Sequence, residues 1–177
     1  AQEPLSEARD ELLFIIQHQT SELWMKLAIT EIRSARAAIA EDRLRPAFKM
    51  LTRVARIFEQ LNSAWDVLRT MTPSEYSTFR DALGQSSGFQ SWQYRSIEFL
   101  AGNRNLAMLK PHSDLPQITA RLEEILAEPS LYDEALQLLA RNGFDIGPDA
   151  ERTSWREKRE SNEQVQAAWK AVYARPD

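Results

Sequence analysis

Apolar residues return every three or four positions through stretch after stretch of this chain, and that periodicity admits helices and little else. From near Ser6 or Asp10 towards Ile39, Leu13, Ile16, Thr20, Leu23 and Leu27 recur at helical spacing. Leu12, Ile15 and Trp24 widen the same apolar face. A second helix follows Pro46, which suits a first-turn position, with a stripe of Phe48, Leu51, Val54, Ala55, Phe58, Leu61, Trp65 and Leu68. In Thr72-Pro73-Ser74-Glu75, Thr72 reads as an N-cap, Pro73 as the first helical residue and Glu75 as the return partner of a capping box. Further helices are expected at about Phe89–Leu100, ending at Gly102-Asn103, then at Gln117–Glu128, Ser130–Arg141 and Asn162–Ala174. The last places Val165, Ala168, Trp169 and Val172 on one face. Gly84–Gly88 is expected to break a helix, and Leu109–Pro116, with two prolines, to be a loop. The segment Gly147–Ser161 is polar and poorly periodic, and no stretch alternates with a clear two-residue period.

Composition narrows the class. With 177 residues, of which only 5 are Gly, and 43% hydrophobic, the chain suits one all-α domain with a self-sufficient core. The absence of Cys excludes a disulfide scaffold, an Fe–S cluster, a Cys-zinc site and a thiolate-ligated haem. No apolar run approaches the ~20 residues that span a bilayer, and no signal segment opens the chain, so no membrane partner and a cytoplasmic location are expected. A net charge of −4 removes the strongest motive for binding nucleic acid.

Few residues invite chemistry. His18, one of two histidines, stands between Gln17 and Gln19 in an otherwise apolar helix. Phe14, His18, Ser21 and Met25 would share one side of it, which suggests a wet cavity or a polar contact. A partly buried histidine satisfied by a neighbour is the plainer alternative. Tyr76 and Arg80, four apart, project from one face of the Thr72-capped helix. A guanidinium fork beside a phenol suits a carboxylate. The alternative is a surface arginine lying over the tyrosine or paired with Glu75 or Asp81. Ser86-Ser87-Gly88 could line a pocket but lacks the end of a phosphate loop. Of the five tryptophans, Trp65 is expected in the core, and His112 is expected to be a solvated loop residue.

Two long segments carry the reading further. Glu11-Leu12-Leu13-Phe14-Ile15-Ile16-Gln17-His18-Gln19-Thr20-Ser21-Glu22-Leu23-Trp24 resembles the first core helix of the tryptophan 2,3-dioxygenase family. The run from Met71 through Thr72-Pro73-Ser74-Glu75-Tyr76-Ser77-Thr78-Phe79-Arg80 and Leu83-Gly84-Gln85-Ser86-Ser87-Gly88-Phe89-Gln90-Ser91 to Glu98 resembles that family's second signature. The resemblance continues more loosely through Gly102-Asn103 and Ser130-Leu131-Tyr132-Asp133. It implies the all-α helical bundle of the tryptophan/indoleamine dioxygenase type. It also implies haem b with its iron, L-tryptophan and O₂ as substrates, N-formylkynurenine as product, and a homotetramer.

Residue by residue, the resemblance assigns His18 to the distal histidine that meets the indole N–H. Arg80 falls to the arginine that pairs with the substrate carboxylate, and Tyr76 to the tyrosine assisting it. Phe14 and Leu83 match walls around the indole. Trp65, Ser87 and Gly88 match positions beside haem and bound oxygen. No residue matches the family's proximal iron ligand, which is expected beyond Asp177, so residues 1–177 read as the N-terminal and central part of a longer haem-dioxygenase domain. Such a piece alone is expected to bind haem weakly and to turn over poorly. Two other functions compete: a haem-free, non-catalytic module that binds tryptophan or assembles with partners, and a related haem enzyme acting on another indole. Retention of both Tyr76 and Arg80 disfavours the latter.

Overall fold

The computed structural model describes residues 3–84 and 90–174. Among these there are seven α-helices and no strand. They are α1 (Arg9–Ala40), α2 (Leu44–Leu68), α3 (Pro73–Phe79), α4 (Trp92–Ala101), α5 (Pro116–Ala127), α6 (Leu131–Arg141) and α7 (Glu163–Tyr173). Short 3-10 turns occupy Asp81–Leu83, Leu106–His112 and Gly147–Glu151. No helix among the described residues is long and apolar enough to cross a membrane.

Helix α1 is the spine. It forms an antiparallel hairpin with α2 across a short turn at 41–43, and α3, α4 and α6 also lean on it. Its buried stripe is Ile15, Met25, Ala28, Ile29, Ile32, Ala35, Ala38 and Ile39. This differs from the stripe expected from periodicity. Leu12, Ile16, Leu23, Trp24 and Leu27 are exposed, Leu23 by 69%. The first half of α1 is apolar on more than one side, so spacing alone cannot say which side meets a partner. Helix α2 is shifted in the same way. Ala47, Val54 and Ile57 are buried, whereas Phe48 and Trp65 are 59% and 52% exposed. Trp65 is therefore not a core residue.

The largest core joins Met25, Ala28, Ile29 and Ile32 of α1 to Val54 and Ile57 of α2, Ile97, Phe99 and Leu100 of α4, and Leu122, Ile125 and Leu126 of α5. A second cluster joins Leu136 and Leu139 of α6 to Ile146, Val165 and Ala168, with Trp169 and Val172 packed on it, as the periodicity of α7 predicts. Helix α4 ends at Gly102 in the left-handed region (φ 115°), and a Cβ there would come within 3.0 Å of the Tyr132 side chain. Only glycine lets the start of α6 approach so closely.

A buried ionic network ties the C-terminal third down. Arg104 donates to the carbonyls of Ile125 (3.1 Å) and Glu128 (2.7 Å) and lies 3.5 Å from Asp133. Asp133 also accepts from the Ser130 hydroxyl (2.6 Å), the Ser130 N–H (2.7 Å) and Arg159 Nε (2.6 Å). Arg159 reaches on to Asp149, which accepts from Asn162, the N-cap of α7. The polar, aperiodic segment 147–161 is thus held by charge rather than by an apolar face. Burial pushes the Asp133 carboxyl up, but the hydrogen bonds from Ser130 and Arg159 outweigh it and hold the group below its ordinary value.

The expected loop at Leu109–Pro116 begins as a 3-10 turn, and His112 at its end is fully buried rather than solvated. Neither ring nitrogen has a hydrogen-bond partner among the described residues. Burial, with a smaller contribution from the positive charge of Arg95, pushes its pKa below the ordinary histidine value.

Two outcomes follow. Replacing Asp133 with Ala strands two arginines in the interior and is expected to cost about 3–5 kcal/mol, read from urea unfolding. Because the unfolded chain protonates His112 first, stability is complete above about pH 6.5 and falls as the pH drops below it. His112→Phe is expected to remove that fall, which unfolding curves across this range would detect.

Candidate functional site

The site is assembled from α1, α3 and the start of α4. On α1, Phe14, His18, Glu22 and Lys26 succeed one another at four-residue spacing and line one side of a cavity of about 1210 Å³. Tyr76, Arg80, Ala82 and Leu83 close the opposite side, and Gln90, Ser91 and Gln93 complete it. The volume exceeds the ~300–1,000 Å³ of typical small-molecule pockets, so there is space for more than one small molecule.

Helix α3 has only seven residues and needs help to hold its place. The expected capping box is present. The Thr72 hydroxyl accepts from the Glu75 N–H (3.3 Å), and Glu75 accepts from the Thr72 N–H (2.7 Å). The bond from the Thr72 N–H, and next one from the Thr72 hydroxyl (2.8 Å), hold the Glu75 carboxyl below its ordinary value. They also commit Glu75 to the cap, so it is not an ion-pair partner of Arg80. Phe79, 1% exposed, drives α3 onto α1. Its ring lies 5.7 Å from Phe14 and 5.4 Å, edge-on, from Tyr76. Phe14 also meets Tyr76 at 5.7 Å and His18 at 4.2 Å between ring centroids. This aromatic knot sets the Tyr76–Arg80 face of α3 against the His18 face of α1.

His18 is exposed to the cavity, and its Nδ1 lies 2.8 Å from the Phe14 carbonyl. A carbonyl only accepts, so in the neutral ring Nδ1 carries the proton and Nε2 keeps a lone pair. Nε2 can therefore accept a hydrogen bond from an N–H. Arg80 Nη1 donates to the Gly84 carbonyl at 2.7 Å, and no ion pair involves Arg80 among the described residues. Glu22 and Gln93 are joined across the cavity, the Gln93 amide donating to the Glu22 carbonyl (3.0 Å) and carboxylate (2.5 Å). Near the N-terminal edge, the Glu11 carboxylate accepts from the Leu5 N–H (2.8 Å), the Ser6 N–H (2.8 Å) and the Ser6 hydroxyl (2.5 Å). Those bonds, Leu5 first and the Ser6 hydroxyl next, lower its pKa.

The structure thus brings together Phe14, His18, Tyr76, Arg80 and Leu83. Ser21 and Met25, expected beside His18, do not line the cavity, and Met25 is buried in the core. Trp65 stands exposed on α2, outside the lining, and Ser86, Ser87 and Gly88 lie outside the described residues. The sequence reading missed Glu22, Lys26 and Gln93, although their spacing from His18 along α1 was a signal for the first two. Chemically, the cavity offers a cation with hydrogen-bond donors, an imidazole acceptor and an aromatic wall. It suits a small molecule with an anionic end and a flat, N–H-bearing ring.

Comparison with known proteins finds a family match along almost the whole chain. A family model described as tryptophan 2,3-dioxygenase matches residues 1–174. A protein named tryptophan 2,3-dioxygenase from Bradyrhizobium sp. (strain BTAi1 / ATCC BAA-1182) is 73% identical over 176 residues, covering 99% of this chain and 63% of that protein. Its namesake from Bradyrhizobium diazoefficiens is 62% identical over 177 residues, covering 100% of this chain and 63% of its own length. One from Burkholderia pseudomallei (strain K96243) is 58% identical, covering 100% and 58%. The chain therefore spans about three fifths of the length of these relatives.

The cap is a direct handle on the site. Thr72→Ala is expected to cost about 1 kcal/mol, seen as a lowered urea midpoint, with faster hydrogen exchange confined to α3.

Proposed function

Since the chain belongs to the tryptophan 2,3-dioxygenase family, we propose that it forms the substrate-binding side of a haem dioxygenase. The reaction inserts both atoms of O₂ across the indole C2–C3 bond of L-tryptophan and yields N-formylkynurenine. The observation that carries this reading is the convergence of His18, Phe14, Tyr76 and Arg80 on one cavity. The identity of 73% to a named dioxygenase favours it over a non-catalytic module.

In this reading each side chain has one task. Arg80 pairs with the carboxylate, and Tyr76, one helical turn before it, assists. Phe14 and Leu83 form the slot for the indole. His18 Nε2 accepts from the indole N–H, its orientation set by the bond from Nδ1 to the Phe14 carbonyl. Fixing the amino acid at both ends aligns the ring and removes rotational freedom before reaction.

The described residues fit one face of a haem. The cavity is roomy, and exposed Leu23 beside it offers an apolar edge. Among the described residues His18 is the one imidazole that lines the cavity, and His112 is buried elsewhere, so none of them is assigned as a ligand of the iron. Haem, when bound, supplies activation of O₂. Trp65, Ser87 and Gly88 are proposed to flank it. Residues 1–177 are proposed to be one all-helical part of a larger domain, in a cytoplasmic homotetramer.

The test is oxygen-isotope incorporation. With ferrous haem, L-tryptophan and labelled O₂, the longer protein of which this chain is proposed to be part is expected to put both oxygen atoms into N-formylkynurenine, and absence of product from that haem-loaded protein would refute the reading. Arg80→Ala is expected to raise KM for L-tryptophan about 10- to 100-fold, the equivalent of losing a charged hydrogen-bonded pair. An unchanged KM would remove Arg80 from the site.

A further inference from the structure

Arg80 carries a long, rotamer-rich side chain at the C-cap of α3. A free guanidinium there would sample many positions, and ordering it on each binding event would weaken affinity. The structure removes much of that freedom. Nη1 donates to the Gly84 carbonyl, 2.7 Å away. The same short segment grips Arg80 through its backbone, since the Arg80 carbonyl accepts from the Leu83 N–H (3.2 Å). The Gly84 N–H in turn donates to the Asp81 carbonyl (3.1 Å), which closes the turn. One N–H of Nη1 is committed, and among the described residues no bond engages the Nε–Nη2 edge, a two-donor fork.

Gly84 sits at φ 59°, ψ −129°. These torsions belong to the first central position of a type II′ turn, which glycine occupies and residues with a Cβ resist. A Cβ at this position would meet nothing within 4 Å. The demand for glycine is therefore torsional, and what those torsions set is the plane of the peptide whose oxygen holds Arg80. We infer that Gly84 is a positioning residue: its carbonyl aims the Arg80 guanidinium across the cavity, so that the residue type at position 84 governs recognition of the substrate carboxylate. The inference rests on the reading of Arg80 as the carboxylate receptor.

The experiment is calorimetric binding of L-tryptophan and of tryptamine, which lacks the carboxylate, to the haem-loaded longer protein of which this chain is proposed to be part. Gly84→Ala is expected to weaken L-tryptophan binding about tenfold and to leave tryptamine within about twofold. The double variant with Arg80→Ala is expected to behave as Arg80→Ala alone. Equal weakening of both ligands, or additive effects in the double variant, would overturn the inference. If the unsubstituted protein binds both ligands alike, the carboxylate reading of Arg80 fails instead. A ligand-independent readout judges the contact itself: slowed rotation of the Arg80 guanidinium in nuclear magnetic resonance spectra is expected, and free rotation would overturn the inference. Should Gly84→Ala not fold, Gly84→Asn, a residue type found in type II′ turns, takes its place: a larger loss of affinity for L-tryptophan than for tryptamine is expected, and equal losses would overturn the inference.

Discussion

One helix has to satisfy two environments at once. The C-terminal two thirds of α1 run through the interior, where Ala28, Ala35 and Ala38 are fully buried and let neighbouring helices come close. Its N-terminal third turns a stripe of Phe14, His18 and Glu22 towards an open cavity. A long helix is rigid on this scale, so anchoring one end fixes the bearing of the other. The packing of Ile29 and Ile32 against α2 and α4 thereby decides where His18 points. The exposed Leu12, Ile16 and Leu23 follow from the same constraint, because a helix apolar on several sides cannot bury all of them with these neighbours.

Around that spine, two kinds of glue divide the labour. The helices of the main core are held by apolar burial. The segment 147–161 has no apolar face and is held by the chain of contacts from Arg104 through Asp133 and Arg159 to Asp149. Such a network is costly to break and weakly stabilising to make, since each charge gives up water before it gains a partner. Its contribution is geometric. It closes α7 onto α6, while Arg141 ties α6 to the end of α1 through the Ile39 carbonyl and Asp42.

The site follows from packing in the same sense. Its two polar poles, His18 and Arg80, are brought together where Phe79 is buried beside Phe14, with Tyr76 against the same ring. The ring that docks α3 is the neighbour of the ring that walls the pocket, so the fold and the recognition surface share one aromatic cluster. His18 gains its tautomer from its own helix, through the Phe14 carbonyl, and Arg80 gains its direction from the turn that follows its own helix. Local backbone geometry thus prepares each group, and tertiary contact brings them face to face.

Local order was legible in the sequence because its causes are local. Helix periods, the Thr72 capping box, the Gly102 stop and the four-residue step from Tyr76 to Arg80 each involve residues within a turn or two of one another. The family motifs added the likeness that joined His18 to Arg80 in one site, a link that spacing alone does not contain. Tertiary structure decided the rest. It chose which side of α1 and α2 is buried, left Trp65 exposed, and enclosed His112 with no hydrogen-bond partner among the described residues. Those outcomes depend on which distant helices compete for the same apolar surface, and that competition is settled by the packing of the whole chain.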